Sequence, residues 1–198
     1  FLESTSYDPQ SPYSASKASS DHFVRAYANT YKMPIVVSNC SNNYGPFQFP
    51  EKLLPLCINN IKNNKALPIY SKGENIRDWL YVDDHVKALV KIIESGLEYT
   101  TFNIGANQEI SNLKLAELIC SILDSMNPRK DSISYKEQIC FVEDRLGHDF
   151  RYAINSEKLK NEIGFSIEID LESGIIKTVD WYLNNRDWLN QKVSSMPK

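Results

Sequence analysis

The stretch of the 198-residue sequence that points most sharply to chemistry is Tyr13-Ser14-Ala15-Ser16-Lys17. On a helix, residues i and i+4 share a face about one turn apart. A phenol and an ammonium held together there have a clear use. The positive charge favours the phenolate and lowers the tyrosine pKa from roughly 10 toward neutrality. A phenolate near physiological pH can take a proton from a sugar hydroxyl as hydride leaves the same carbon. Ser14, Ala15, Ser16, Ala18, Ser19 and Ser20 are all small. They allow a large planar cofactor to lie close to the helix, and they equally allow another helix to pack tightly on it.

That pair requires a helix, and the surrounding residues supply one. Turn formers (Ser4, Ser6, Asp8, Pro9, Ser11, Pro12) mark a loop, and a helix is expected from Tyr13 to about Tyr31, ended by Pro34. Ile35-Val36-Val37 reads as a buried strand, and residues 41–50, rich in Asn, Gly and Pro, as irregular. A helix is expected over 51–63, then strands over 67–70 and 76–82. Asp83 and Asp84 read as the cap and acidic first turn of a helix carrying Val86, Leu89, Val90 and Ile93, closed by Gly96. A strand over 100–104 precedes an amphipathic helix with Leu115, Leu118, Ile119, Ile122 and Leu123 on one face and Ser111 or Asn112 as its cap. A strand at 139–142, a short helix at 156–163 and a long helix at 171–189 complete the reading, with a frayed tail after Lys192. Strands alternate with helices in the first half, so the class is α/β with a mostly parallel sheet.

Composition narrows the function. The chain is 42% hydrophobic and 24% charged, with 22 basic and 25 acidic side chains and a net charge of −3. That balance argues against a general nucleic-acid or membrane-surface binder, which needs an excess of Lys and Arg. No apolar run has the length to span a bilayer, and no secretory signal opens the sequence. Cysteines 40, 57, 120 and 140 form no CxxC pair and stand at no metal-ligand spacing. Small buried hydrophobes in a reducing, cytoplasmic compartment is the expected role.

The longer strings narrow it further. Pro12 to Asp21 (PYSASKASSD), Asn39-Cys40-Ser41-Asn42-Asn43-Tyr44-Gly45-Pro46, and Phe49-Pro50-Glu51-Lys52-Leu53-Leu54-Pro55 closely resemble the dTDP-glucose 4,6-dehydratases, within the extended short-chain dehydrogenase/reductases. So do Leu67-Pro68-Ile69-Tyr70, Ile76 to Val82, and Asp144-Arg145 through Tyr152-Ala153, in the same order along the chain.

The resemblance implies a lyase acting on dTDP-glucose with NAD. It makes Tyr13 the base at the C4 hydroxyl and Lys17 a ligand of the nicotinamide ribose. It gives Asn42 a substrate contact and Asn43 a cofactor contact, although adjacent Asn before Tyr-Gly-Pro also suit a turn. Lys52, Arg77 and Arg145 match positions around the nucleotide-sugar, where a diphosphate rewards converging cations. A solvated surface charge is the alternative for each, and a pair with Asp78 the alternative for Arg77. Leu53, Pro68, Ile69, Tyr70, Asn112, Asp144 and His148 match substrate-lining or nearby positions; Leu53 could instead be core and Asn112 a helix cap. Leu146 and Phe150 depart from the family's Pro and Arg. His22 and His85 read as structural.

No GxGxxG or GxxGxxG loop occurs among the seven glycines, and the family's Thr-Asp-Glu triplet, its acid and base for loss of water, is not in the sequence. The expectation is therefore a fragment. Residues 1–45 and about 73–104 would be the remainder of a Rossmann-like, doubly wound NAD-binding domain. About 46–72 and 105–198 would form a smaller, helix-rich sugar-nucleotide domain. A homodimer is implied for the intact protein. A same-fold epimerase or decarboxylase, a non-catalytic sugar-nucleotide binder and a purely structural module stay open at this point.

Overall fold

The computed structural model describes residues 1–144 and 149–195. Helix α1 (Pro12–Tyr31) opens with Ser11, whose hydroxyl accepts from the Ser14 amide, and with Pro12 in the first turn. Lys32 ends it in the left-handed region. Strands β1 (Val36–Cys40) and β2 (Asn42–Tyr44) follow, then helix α2 (Leu53–Lys62), strands β3 (Leu67–Tyr70) and β4 (Ile76–Tyr81), and helix α3 (Val82–Glu94). The remainder comprises β5 (Thr100–Ile104), β6 (Glu109–Ser111), α4 (Asn112–Met126), a 3-10 turn at Tyr135–Gln138, β7 (Ile139–Val142), β8 (Arg151–Tyr152), α5 (Glu157–Ile163), α6 (Leu171–Asn184) and α7 (Arg186–Ser194).

Parallel pairing dominates among the described residues. β1 pairs with β5, β2 with β4, β3 with β7 and β4 with β8 in parallel; β4 and β6 run antiparallel. The architecture is α/β, as the alternation of elements implies.

β4 divides the molecule. Successive side chains on a strand face opposite ways. Trp79 and Tyr81 enter one core with Tyr44, Leu54, Ile58, Leu115, Ile119, Val179 and Tyr182. Leu80 enters another with Ala88, Ile92, Phe102, Ile104, Leu159 and Phe165. Asp78 is fully buried, and its carboxylate accepts the amides of Ala106 at 3.0 Å and Gln108 at 2.8 Å. Gly105 must be glycine here, because an added Cβ would lie 2.8 Å from the Asp78 Oδ2. Across the first core, the Tyr44 hydroxyl donates to the Leu171 carbonyl, and a Cβ on Gly174 of α6 would sit 2.1 Å from that hydroxyl oxygen.

Several expectations are corrected. The expected irregular segment 41–50 holds strand β2, and β6, β8 and the 3-10 turn were not expected at all; each is four residues or fewer and owes its form to a neighbour. Helix α2 starts at Leu53 rather than Glu51. Helix α3 starts at Val82 with Tyr81 as its cap, so Asp83 and Asp84 lie in its first turn. Val86, Val90 and Ile93 are exposed, while Ala88 and Ile92 are buried. Buried Asp84 accepts the amides of Glu168 and Ile169, tying α3 to the chain before α6. The long C-terminal helix breaks at Asn185, whose backbone and side-chain amides both return to the Trp181 carbonyl. Cys57 and Cys120 are buried and their thiols are pushed up to about 12 by burial, but Cys40 and Cys140 are only half-buried.

Asp78→Asn should expose what the buried carboxylate holds. The replacement puts an NH₂ against one of two buried N–H groups, and a loss of about 2–4 kcal/mol is expected in urea unfolding. A change within about 0.5 kcal/mol, the range of an inconsequential surface substitution, would mean the anchor is dispensable.

Candidate active site

Tyr13 and Lys17 occupy the first turns of α1, one helical turn apart, and both are exposed, Tyr13 at 73%. The hydroxyls around them turn inward. Ser16 donates to the Tyr13 carbonyl, Ser19 to Ala15 and Ser20 to Lys17. Such back-bonding leaves a low surface on which Ala15, Ser16, Ser19 and Ser20 are exposed.

Cys40 is the last residue of β1. Burial pushes the Cys40 thiol up, while a hydrogen bond from Asn43 and the Lys17 ammonium pull it back. The Asn43 amide donates to Cys40 Sγ at 3.2 Å and to the Ser41 carbonyl at 3.1 Å. Asn43 is thereby fastened to a thiol at the carboxyl end of a parallel strand, where ligands of such sheets bind. Asn43 Oδ1 and Ser41 Oγ are both buried there without a hydrogen-bond partner among the described residues. Buried polar atoms are nearly always paired, so these two suit the hydroxyl or amide of a ligand. Their chemistry fits the ribose and carboxamide of a nicotinamide nucleotide.

The pleat separates the two asparagines. Asn42 is in register with Trp79 and Asn43 with Leu80. Neighbouring residues on a strand face opposite sides, which puts Asn42 on the face of Trp79 and Arg77 and Asn43 on the other. Asn43 then carries the loop after it, since the Gln48 side chain donates to its carbonyl at 2.8 Å.

Arg77 gathers a second group. Its guanidinium donates to the carbonyls of Ile76 and Asp149, each at 2.7 Å, and to that of Phe150 at 3.4 Å. The rival pairing with Asp78 is replaced, because Asp78 binds backbone amides on the opposite face. Asn75, which sequence reasoning missed, also donates to the Asp149 carbonyl, and its own carbonyl accepts from the Asn112 amide. Asn112 is the first residue of α4, and the cap is Ser111.

The other candidates are less gathered. Lys52 caps α2 without a side-chain bond and pairs with Glu51 at 2.8 Å, both well exposed. Leu53 packs against the first core. On β3, Ile69 is buried while Pro68 is exposed and Tyr70 half-buried, as alternation requires. Asp144 is exposed; Arg145 and His148 lie outside the described residues, as does Leu146. Phe150 is exposed. His85 is pushed down by burial, and His22 stacks edge-on against Tyr7. No group of three or more His, Cys, Asp or Glu among the described residues could hold a metal ion, and none of the described helices is long and apolar enough to cross a membrane.

The profile of the GDP-mannose 4,6 dehydratase family matches residues 1–178. The chain belongs to that family. It is 54% identical over 189 residues to the dTDP-glucose 4,6-dehydratase of Escherichia coli, covering 96% of this chain and 52% of that protein. The chain spans about half the length of the curated relatives it matches. Among solved structures of the family, it superposes on the dTDP-glucose 4,6-dehydratase of Bacillus anthracis in complex with NAD with a TM-score of 0.87 and 43% identity, over 97% of this chain and 58% of that one. The enzyme from Streptomyces venezuelae, also solved with NAD, gives a TM-score of 0.88 at 36% identity, over 97% and 57%. The fold is the Rossmann-like α/β fold of those proteins.

Proposed function

We propose that this chain is the part of an NAD-dependent dTDP-glucose 4,6-dehydratase that grips the nucleotide-sugar and supplies the base at C4. The observation that carries the reading is the pair of buried polar atoms without a partner, Ser41 Oγ and Asn43 Oδ1, beside the Asn43–Cys40 hydrogen bond at the carboxyl end of β1. The identity to dTDP-glucose 4,6-dehydratases across nearly the whole chain supports it.

In this reading NAD, when bound, supplies the acceptor for the C4 hydride and the donor of hydride to C6. Tyr13 takes the C4 hydroxyl proton, and Lys17 binds the cofactor ribose. Asn43 faces the cofactor and Asn42 the sugar. The ketone at C4 makes the C5 proton acidic, and water then leaves across C5–C6 to give the 4-keto-6-deoxy sugar. The carboxyl groups for that loss have no counterpart in these 198 residues.

Arg77 and Lys52, with Arg145, suit the diphosphate. Leu53, Pro68, Ile69, Tyr70, Asn112, Asp144 and His148 line or flank the nucleotide. The division of the chain into a remainder of the NAD-binding domain (1–45 and about 73–104) and a sugar-nucleotide domain (about 46–72 and 105–198) belongs to the same proposal. So do a cytoplasmic setting and a homodimer of the intact enzyme.

Tyr13→Phe in the intact enzyme should lower turnover of dTDP-glucose about 100-fold or more, the scale of a lost general base, while leaving dTDP affinity within about twofold. Unchanged turnover would remove Tyr13 from the chemistry. Product mass decides the reaction, because a dehydratase product is lighter by one water and an epimerase product is not. On the 198-residue chain alone, dTDP should raise the melting temperature in a concentration-dependent way.

A further inference from the structure

The loop that carries Asn43 into α2 is held in an unfavourable conformation from one side. Phe47 has φ +62°, a region that a bulky side chain rarely adopts. It is 67% exposed, so burial does not hold it there. Two tryptophans do. Its ring centroid lies 4.5 Å from that of Trp181 and 5.6 Å from that of Trp188. Trp181 and Trp188 are themselves 5.3 Å apart. In an unbroken helix, seven residues advance about 10.5 Å along the axis, so the break at Asn185 is what brings the second ring back onto the first.

The same helix holds the next residue. Tyr182, buried, donates its hydroxyl to the Gln48 carbonyl at 2.7 Å, and the Gln48 amide donates to the Asn43 carbonyl at 2.8 Å. One turn further on, the Lys52 amide donates to the Phe49 carbonyl at the entrance to α2. Upstream, Tyr44 is fastened to the start of α6 through Leu171. Helix α6 therefore grips both ends of the 44–48 segment, and the strained residue lies between the grips.

We propose that Trp181 and Tyr182 are positioning residues of the candidate site: through Phe47 and Gln48 they lock the 45–48 loop, and so set Asn43 on one side and the Lys52–Leu53 entrance of α2 on the other. Neither residue touches the ligand. Without the aromatic stack Phe47 relaxes to negative φ, the chain turns at 47–48, and Gln48 leaves Asn43. The consequence for ligand affinity rests on the reading of Asn43, Lys52 and Leu53 as site residues given above.

The test uses the 198-residue chain, labelled with ¹⁵N, and dTDP as the probe. Tyr182→Phe deletes only the hydroxyl that holds Gln48. It should shift the Asn43 backbone and side-chain amide resonances of the ligand-free protein and weaken dTDP binding about fivefold, the scale of one lost hydrogen bond. Trp181→Ala should shift them further and weaken dTDP about tenfold or more, and Trp181→Phe should restore both to within about twofold of wild type. Val179→Ala is the reference for a purely structural effect. It truncates a buried residue of the same helix, and should lower stability while leaving the Asn43 resonances and dTDP affinity near wild type.

The proposal is overturned if Tyr182→Phe and Trp181→Ala leave Asn43 unmoved, or move it without weakening dTDP. It is equally overturned if Val179→Ala weakens dTDP as much as they do. A wild-type chain that binds no dTDP sinks the nucleotide-sugar reading instead, and the lock then stands or falls on the Asn43 resonances alone.

Discussion

The pleat of β4 is the constraint from which the rest of the molecule follows. Four consecutive residues, Asp78 to Tyr81, alternate between two cores, and the acidic one is sealed among backbone amides rather than paired with a cation. A buried carboxylate is tolerated only when its oxygens are satisfied, and here two N–H groups of the segment after β5 do so. The same alternation turns Arg77 away from Asp78 and toward the 149–150 carbonyls. Because β2 is registered on β4, it also decides which of two adjacent asparagines faces which side. A slip of one residue in that ladder would exchange the faces and dissolve both side-chain groups.

Where local chemistry decides the structure, the sequence was a good guide. Ser11 and Pro12 mark the start of α1, Gly164 ends α5 in the left-handed region, and β3, β5 and β7 lie where their apolar runs put them. It failed where a partner decides. β2, β6 and β8 are two or three residues long and have no periodicity to detect; they are strands only because β4 lies beside them. The break between α6 and α7 also has no Gly or Pro to announce it, only Asn185 bonding back onto Trp181. On α3, helical spacing was right but the face was wrong: Val86, Val90 and Ile93 point outward, and small Ala88 does the packing.

The candidate site was legible in a similar proportion. Tyr13 and Lys17 could be named from their spacing on a helix, whereas Asn43 came from the family resemblance, since adjacent asparagines before Tyr-Gly-Pro read locally as a turn. Ser41 stood beside those asparagines but its orphaned hydroxyl did not show. Asn75, Gln48 and Trp181 carry no pattern at all, since what they do depends on distances between segments tens of residues apart or more. Arg77 was picked for the cost of a bare charge in an apolar strand, and that cost is met by carbonyl oxygens rather than by the acid next to it.

The close approach of Tyr44 to α6 has a consequence for how such a chain can vary. The phenol of one strand and the missing side chain of one helix residue fill a single space, so positions 44 and 174 are complementary halves of one joint. A methyl group gained at 174 must be matched by atoms given up at 44, and the bond to Leu171 would go with them. Growth at 174 is closed off while 44 is a tyrosine, and opens only after 44 has given up its hydroxyl.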